Sequence, residues 1–210
     1  MSAKTRKICT NEYEHAAWER GRLLLGLDEA GRGPLAGPLS VAGVVFEPGY
    51  ENPDIYDSKA LSEKKREQLY ETILEDALYF FIEEVTPEEI DRYNILMADR
   101  MAMMRIAECL PCGVIVTDCV NIVVQDKEIY MPAKGDQLSV SVAAASILAK
   151  VTRDRLMYEY DALYPQYGFA KNKGYPTKAH MEAIERYGIT PIHRRSFGPV
   201  AAKQISLDLF

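Results

Sequence analysis

Acidic side chains follow two apolar stretches of the sequence, at positions where a buried strand would end. Asp28 and Glu29 come directly after the run that ends at Leu27, and Asp118 follows the run at 114–117. Because an ionised carboxylate at the edge of a hydrophobic core is costly, several that converge there need a cation. Oxygen ligands favour Mg²⁺ or Mn²⁺ over Zn²⁺, and two such ions about 4 Å apart recur in phosphodiester chemistry. The pattern indicates a candidate metal site.

A third acidic position for this site is either Asp136, in a Lys-Gly-Asp tripeptide, or Asp154. The apolar spacing predicts one long helix from Ser139 to about Leu163. At 1.5 Å per residue, Asp154 would lie on the order of 20 Å further along the axis of that helix. The two residues therefore cannot ligate one metal cluster, and the residues alone do not choose between them.

A glycine-rich turn at 31–37 follows the first pair of carboxylates. Adjacent residues of a regular strand point to opposite faces, so Asp28 and Glu29 can serve one site only if the strand breaks there. We expect Gly31 and Gly33 to supply that break. The turn matches neither the dinucleotide fingerprint nor the P-loop, since no Lys-Ser/Thr pair is present and a strand follows. It remains a loop whose backbone N–H groups can approach a ligand, with Arg32 beside acidic neighbours.

The rest of the chain predicts the elements that must position these groups. Apolar runs predict strands at 22–27, 39–46, 79–85 and 114–117, and helical spacing predicts helices from 62, from 87, over 95–110, over 139–163 and over 177–187. Residues 164–176 read as a loop. Strands first, then strands mixed with helices, predict an α/β fold, a mixed β-sheet flanked by helices with a helical C-terminal portion.

Composition indicates one globular domain. The chain has 210 residues, a formal charge of −6 and 48% hydrophobic residues. No stretch reaches the roughly 18 apolar residues of a membrane helix, so we expect a cytoplasmic protein that has no membrane partner. We also expect the protein to act as a monomer. Four cysteines are too few for a disulfide framework, and Cys109-Leu-Pro-Cys112 has no second pair with which to hold zinc.

Charge is polarised along the chain. Residues 1–149 hold 15 basic and 25 acidic side chains, whereas residues 150–195 hold 9 basic and 5 acidic ones. This asymmetry suits an acidic, metal-binding half that works beside a phosphate-holding half.

Several long, ordered motifs between Leu24 and Val200 resemble those of bacterial ribonuclease HII. They are Gly-Leu-Asp-Glu-Ala-Gly-Arg-Gly-Pro-Leu-Ala-Gly-Pro at 26–38, Asp57-Ser-Lys59, Lys134-Gly-Asp136, Ser-Val-Ala-Ala-Ala-Ser-Ile-Leu-Ala-Lys-Val-Thr-Arg-Asp at 141–154, Tyr167-Gly-Phe-Ala-Lys171, Lys173-Gly-Tyr-Pro-Thr177 and His193-Arg-Arg-Ser-Phe197. The resemblance implies an RNase H-like catalytic domain at 21–200, between an N-terminal extension at 1–20 and a tail at 201–210.

The resemblance also implies an activity: a metal-dependent endonuclease for RNA/DNA hybrids that nicks 5′ of ribonucleotides embedded in duplex DNA and leaves 3′-OH and 5′-phosphate ends. Two Mg²⁺ or Mn²⁺ ions would be bound by the residues that match the family's four carboxylates, Asp28, Glu29, Asp118 and Asp136. Asp154 would then be a structural or surface residue.

Substrate contacts follow from the same resemblance. The turn Gly31-Arg32-Gly33 would read the ribose 2′-OH, and Tyr175 would stack on the sugar that follows the ribonucleotide. Lys59 and Ser139 resemble contacts on the phosphate side. His193, beside two arginines, is interpreted as a structural or phosphate-side residue and not as a catalytic acid or base.

One residue departs from the family pattern. Cys119 follows Asp118 where many family members have glycine, so the chain could leave the strand at a different angle there. The tail Gln204 to Phe210, Q-x-x-L-x-L-F, resembles the peptide with which bacterial replication proteins dock in the DNA sliding clamp; the alternative is a tail hidden in the body.

Two rival functions are weighed. A ribonuclease HIII would carry a further N-terminal substrate-binding domain, and only some 20 residues precede the first strand here. A catalytically inactive hybrid-binding module would not need all four carboxylates.

Overall fold

The computed structural model describes residues 8–202 of the chain, so the predicted clamp-docking tail and the first residues of the N-terminal extension lie outside the described part. The strands are β1 (Leu24–Ala30), β2 (Leu39–Val45), β3 (Tyr79–Val85), β4 (Val114–Thr117) and β5 (Glu128–Tyr130). The helices are α1 (Glu12–Trp18), α2 (Glu63–Asp76), α3 (Pro87–Tyr93), α4 (Ile95–Cys109), α5 (Gly135–Leu138), α6 (Val140–Leu163), α7 (Phe169–Asn172) and α8 (Lys178–Tyr187).

The five strands form one mixed sheet in the order β3-β2-β1-β4-β5. Strand β2 pairs antiparallel with both β1 and β3, whereas β4 pairs parallel with both β1 and β5. This confirms the predicted α/β class and mixed sheet. The parallel pairs bring the carboxyl ends of β1 and β4 to the same edge of the sheet, where the first candidate carboxylates lie.

Helix α6 packs across β1 and β2 at very short range. A Cβ atom built on Gly26 would lie 2.2 Å from the backbone carbon of Ser141, so only glycine allows this approach. The packing buries apolar residues of α6 against the sheet, among them Ala144 and Ile147. The long helix predicted by its apolar spacing is therefore held directly against the strand that carries Asp28.

Helix α4 covers the other face of the sheet. Its buried side chains, including Ala102, Met103 and Ile106, form one cluster with Leu25 and Leu27 of β1. Met103 is therefore a core residue of this helix. Alternate residues of β1 face α6 and α4.

The predicted helix starts are confirmed by side-chain caps. Ser62, Thr86 and Thr177 each accept a hydrogen bond from the backbone N–H three residues further on. Four short elements were not predicted: α1, β5, α5 and the single turn α7 inside the segment that reads as a loop. Within residues 8–202, none of the helices combines the length and apolar character that crossing a bilayer requires.

The C-terminal portion packs a third cluster onto the end of α6 and the turn after β1. Phe169, Ile184 and Ile192 lie there with Leu35 and Ala36. The turn that carries the candidate substrate residues is therefore built into the helical C-terminal portion and is not a free loop.

Candidate active site

Strand β1 continues past the end of β4. The last pair between them joins Leu27 and Thr117, yet β1 stays paired with β2 as far as Ala30. The expected break in the strand at Asp28 and Glu29 is therefore wrong, because both residues remain in regular register with β2. Asp28 shares the face of Gly26 toward α6, and Glu29 shares the face of Leu27 toward α4.

Asp118 is the residue that connects the candidate carboxylates. It follows β4 directly and interacts electrostatically with Asp28, Glu29 and Asp136. One of its carboxylate oxygens accepts a hydrogen bond from the Gly135 N–H at 3.0 Å, which fixes the start of α5 beside it. Four carboxylates from three separate segments of the sequence are thus brought to one region.

Cys119 takes the backbone conformation that glycine would take. Its φ is +58°, in the left-handed region that costs a residue with a Cβ atom free energy. The departure from the family pattern therefore coincides with a glycine-like path of the chain after Asp118, and not with the different angle considered from the sequence.

Burial and mutual repulsion raise the pKa values of the carboxylates. Burial and then the neighbouring Glu29 hold the pKa of Asp28 well above its ordinary range. Burial, followed by the negative charge of Asp99, raises the pKa of Glu29 to about 7. Burial, followed by Asp57, raises that of Asp136 to about 6. A cation placed among these groups would relieve both effects.

The donor set fits a hard divalent cation. Every candidate ligand is a carboxylate oxygen, and Glu29 Oε2 is buried without a hydrogen-bond partner. Among residues 8–202, however, no three Asp, Glu, His or Cys side chains lie close enough together to hold an ion as they stand. Metal binding therefore requires side-chain rotation that draws the carboxylates together.

A cleft of about 280 Å³ brings most of the predicted site residues together. Seven of the ten line it: Asp28, Glu29, Gly31, Arg32, Gly33, Lys59 and Tyr175. Asp118 and Asp136 lie outside its lining and belong to the site through their interactions with the other carboxylates.

Ser139 has a structural role in this arrangement. It is fully buried, its hydroxyl donates to Glu14 at 2.5 Å, and its oxygen caps α6 by accepting from the Val142 N–H. Glu14, in the unpredicted α1, also accepts from the Ser141 N–H. The contact on the phosphate side that the resemblance implies for Ser139 has no support in this geometry.

Two buried arginines hold the glycine-rich turn. Arg153 donates to the carbonyls of Pro38, Ala36 and Lys173, and Arg194 donates to those of Gly37, Pro38 and Arg32. These two side chains stabilise the turn with their guanidinium groups, so two of the nine basic residues counted in 150–195 bind carbonyls of the protein itself.

Gly31 is the glycine that this arrangement requires. It has a φ of +105°, and a Cβ atom there would lie 2.1 Å from Nε of Arg153. The turn therefore depends on glycine at this position for its conformation and for its contact with the arginine.

The loop with Tyr175 is held by two buried histidines. The Thr190 N–H donates to Nδ1 of His193, so the proton of His193 is on Nε2 and is donated to Nε2 of His180. His180 therefore carries its proton on Nδ1 and donates it to the Tyr175 carbonyl at 2.9 Å. His193 is structural, one of the two roles interpreted from the sequence, while the Tyr175 side chain lies exposed at the cleft.

The structure adds residues that sequence reasoning missed. Ser146 donates a hydrogen bond to Asp28 and shares one of 2.8 Å with Ser58, and both serines line the cleft. Lys150 lines the cleft and pairs with Asp154 at 2.6 Å, which gives Asp154 a structural role. Asp99 is fully buried beside the site. It interrupts the apolar stripe of α4 between Ala98 and Ala102, and that interruption is a signal the sequence contained.

Comparison with known proteins relates the fold to one family. The chain is 51% identical over 190 residues to the ribonuclease HII of Clostridioides difficile, which covers 89% of this chain and 74% of that protein. Among solved structures, the ribonuclease H2 of Pyrococcus horikoshii superposes with a TM-score of 0.77 at 25% identity, over 89% of this chain and 99% of the other. The PCNA:RNase HII complex of Archaeoglobus fulgidus matches with a TM-score of 0.73 at 26% identity, over 84% and 95%.

These matches agree with the geometry of the site. The family model described as ribonuclease HII matches residues 25–200, from the first strand of the sheet to the end of the helical C-terminal portion. The fold is RNase H-like. The chain belongs to the ribonuclease HII family, and is thus a type II ribonuclease H, a metal-dependent endoribonuclease of RNA/DNA hybrids.

Proposed function

We propose that this ribonuclease nicks duplex DNA on the 5′ side of an embedded ribonucleotide and leaves 3′-OH and 5′-phosphate ends. The observation that carries the proposal is one cleft that combines buried Asp28 and half-buried Glu29 with the turn around Arg32 and the exposed ring of Tyr175. Carboxylates that can hold cations lie next to backbone that can read a sugar hydroxyl. This is the combination that such an enzyme needs.

The four carboxylates are proposed to hold two Mg²⁺ or Mn²⁺ ions. When bound, the ions would lower the pKa of the attacking water and stabilise the departing 3′-oxygen. Asp118, which already interacts with Asp28, Glu29 and Asp136, would draw the two sides of β1 into one ligand set. Without a cation, these buried negative charges repel one another and a phosphate alike. Their repulsion therefore favours the binding of cations.

Recognition of the substrate is proposed to divide between the turn and two side chains. The turn from Gly31 to Gly33 offers backbone groups to the 2′-OH, and its conformation is fixed from behind by Arg153. Tyr175 offers a ring face for stacking, and Lys59, exposed at the cleft, offers a positive charge to a phosphate.

The test is cleavage of a duplex with a single ribonucleotide, in Mg²⁺ and then in Mn²⁺, with the ends of the products mapped. We expect Asp28→Asn and Asp136→Asn each to lower kcat by about a thousandfold or more, because each removes a charge that holds the ions. Asp126→Asn, in the exposed loop before β5, is the matched control and should keep the wild-type rate. Full activity of either cleft variant, or cleavage 3′ of the ribonucleotide, would refute the proposal.

The tail from Gln204 to Phe210 is proposed to dock in a DNA sliding clamp. Support comes from the spacing of its apolar residues and from the related RNase HII that was solved with PCNA. Deletion of 204–210 should abolish co-elution with the bacterial clamp and leave cleavage of a short duplex unchanged. Clamp binding that survives the deletion would reject this part of the proposal.

A further inference from the structure

Asp99 is a buried aspartate, and the residues around it give no structural reason for a carboxylate at this position. It lies on the apolar face of α4 and is fully buried, and neither of its carboxylate oxygens has a hydrogen-bond partner among the described residues. A buried carboxylate without hydrogen bonds costs free energy, and an uncharged side chain of similar volume is often neutral or stabilising in such a place. Packing and stability alone therefore do not account for an aspartate at this position.

Arg32 forms an ion pair with Asp99, and the positive charge of neighbouring Arg100 also acts on Asp99. The Nε of Arg32 lies 3.7 Å from Asp99 Oδ2, while its Nη1 lies 3.6 Å from Glu29 Oε1. The guanidinium group thus lies between a carboxylate of α4 and a carboxylate of β1. Both distances are longer than a hydrogen bond, so the contact is mainly electrostatic.

The main chain of Arg32 is held separately from its side chain. Its carbonyl accepts a hydrogen bond from Arg194, whereas the side chain is 43% exposed at the rim of the cleft. A long side chain with that exposure adopts many rotamers in water, and ordering it costs conformational entropy. A buried negative charge behind the rim limits those rotamers before the substrate arrives.

We infer that Asp99 is a positioning residue that, together with Glu29, holds the Arg32 guanidinium at the cleft in the orientation used for the nucleic-acid backbone. The inference rests on the proposed function, because the Arg32 side chain can contact the substrate only if the cleft binds nucleic acid. It adds a residue from α4, outside the glycine-rich turn and outside the four proposed ligands. Asp99 acts through Arg32 and does not touch the substrate.

The alternative role for a buried acidic residue here is a direct contact with the metal ions. The two roles differ in what else changes when Asp99 is altered. A positioning residue loses its effect when Arg32 is absent, whereas a metal contact keeps its effect and weakens ion binding.

The kinetic experiment uses the full-length protein with Asp99→Asn, Arg32→Lys, Arg32→Ala and the double variant Asp99→Asn/Arg32→Ala. Asn keeps the shape of Asp, and Lys keeps the charge of Arg32 but loses its Nε. On the single-ribonucleotide duplex, we expect Asp99→Asn and Arg32→Lys each to raise KM about tenfold with kcat within about twofold. In the Arg32→Ala background, Asp99→Asn should change KM by less than about twofold. Asp126→Asn is again the matched control.

Calorimetric titration of the metal-free protein with Mg²⁺ provides the readout besides activity. We expect Asp99→Asn to bind Mg²⁺ within about twofold of wild type and to unfold at the same or a higher temperature. Independent effects of Asp99→Asn and Arg32→Ala on KM, or a tenfold loss of Mg²⁺ affinity in Asp99→Asn alone, would overturn the inference.

A failure of the proposed function can be told apart from a failure of this inference. The ¹H–¹⁵N resonance of Arg32 Nε, assigned by its disappearance in Arg32→Lys, should be shifted from the bulk of the arginine signals in wild type and return to them in Asp99→Asn. A resonance that does not move would refute the positioning role even if the enzyme cleaves as proposed. A resonance that moves in an enzyme that does not nick would refute only the function.

Discussion

At the scale of single residues, burial separates the contacts proposed for substrate from those that build the fold. The family resemblance assigns Lys59 and Ser139 alike to contacts on the phosphate side, yet the structure exposes Lys59 at the cleft and buries Ser139 at the N-terminus of α6. The sequence carries no signal for this difference, because the partner of Ser139 is Glu14, 125 residues away. Substitution of Lys59 should therefore change substrate binding, and substitution of Ser139 should change stability.

Lys59→Ala should weaken substrate binding and leave stability unchanged. Removal of one phosphate contact raises KM and lowers the slope of log KM against log salt concentration by about 1. Steady-state kinetics at several salt concentrations measure both. A KM that responds to salt as in wild type would show that Lys59 does not contact phosphate.

Ser139→Ala should destabilise the protein and leave KM unchanged. It removes the cap of α6 and a hydrogen bond to buried Glu14, at a cost of about 1–3 kcal/mol in the free energy of unfolding. Chemical denaturation measures the cost. A variant with wild-type stability and a raised KM would show instead that Ser139 contacts the substrate.

At the scale of elements, local patterns predict most of the helices and strands, and the contacts between elements decide the site. Helical spacing and caps place α2, α3, α4, α6 and α8, whereas β5 and α1 are short and have no distinct pattern of their own. The break expected at Asp28 fails because pairing with β2 extends the strand through Ala30. The sequence shows that Gly31 lies in a turn, but it does not show that a Cβ atom there would collide with Arg153, because Arg153 is over a hundred residues away.

Gly31→Ala should disrupt the turn, and Gly21→Ala serves as its matched control. Both glycines have positive φ, but a Cβ atom would meet Arg153 only at position 31, since nothing lies within 4 Å of it at position 21. We expect Gly21→Ala to cost about 1 kcal/mol in stability with normal activity, and Gly31→Ala to lower kcat/KM about a hundredfold. Equal effects in the two variants would argue against a functional turn.

The histidine pair should make stability depend on pH. Burial, followed by the neighbouring His180, lowers the pKa of His193 from 6.5 to about 4 in the folded protein. As the pH falls below 6.5, the unfolded chain takes up this proton first, so a contribution on the order of 3 kcal/mol, full above pH 6.5, is lost down to pH 4. Denaturation across this range should therefore show falling stability from this group.

Comparison with His193→Gln isolates that contribution. Glu29, with its raised pKa, acts in the opposite direction, since the folded protein takes up its proton first as the pH falls below about 7. Its effect is common to both proteins and cancels in the difference. Exposed His15 provides the control variant His15→Gln. An equal pH dependence in wild type and His193→Gln would contradict the prediction.

At the scale of the whole molecule, the fold brings the candidate carboxylates of β1, of the residue after β4 and of α5 to one region. The charge count predicted an acidic half beside a phosphate-holding half, but Arg153 and Arg194 bind carbonyls inside the protein and Arg155 pairs with glutamates of α2. Sequence charge describes composition, and only the fold shows which charges face a substrate. Among the described residues, the carboxylates around Asp118 repel one another.

Divalent ions should therefore stabilise the whole protein. A saturating ion, at about a hundred times its Kd, adds about 2.7 kcal/mol to the free energy of unfolding, so Mg²⁺ should raise the melting temperature above that measured in EDTA. Asp118→Asn should lose most of this rise, because Asp118 interacts with all three other carboxylates. Asp126→Asn should retain it. Equal rises in both variants would place ion binding elsewhere.

The most direct test of the central claim is anomalous scattering from Mn²⁺ in crystals of the protein soaked with the ion. The account predicts anomalous peaks in contact with carboxylate oxygens of Asp28, Glu29, Asp118 and Asp136, whose side chains rotate toward one another. Clear peaks elsewhere, with these four side chains unoccupied and apart, would contradict it.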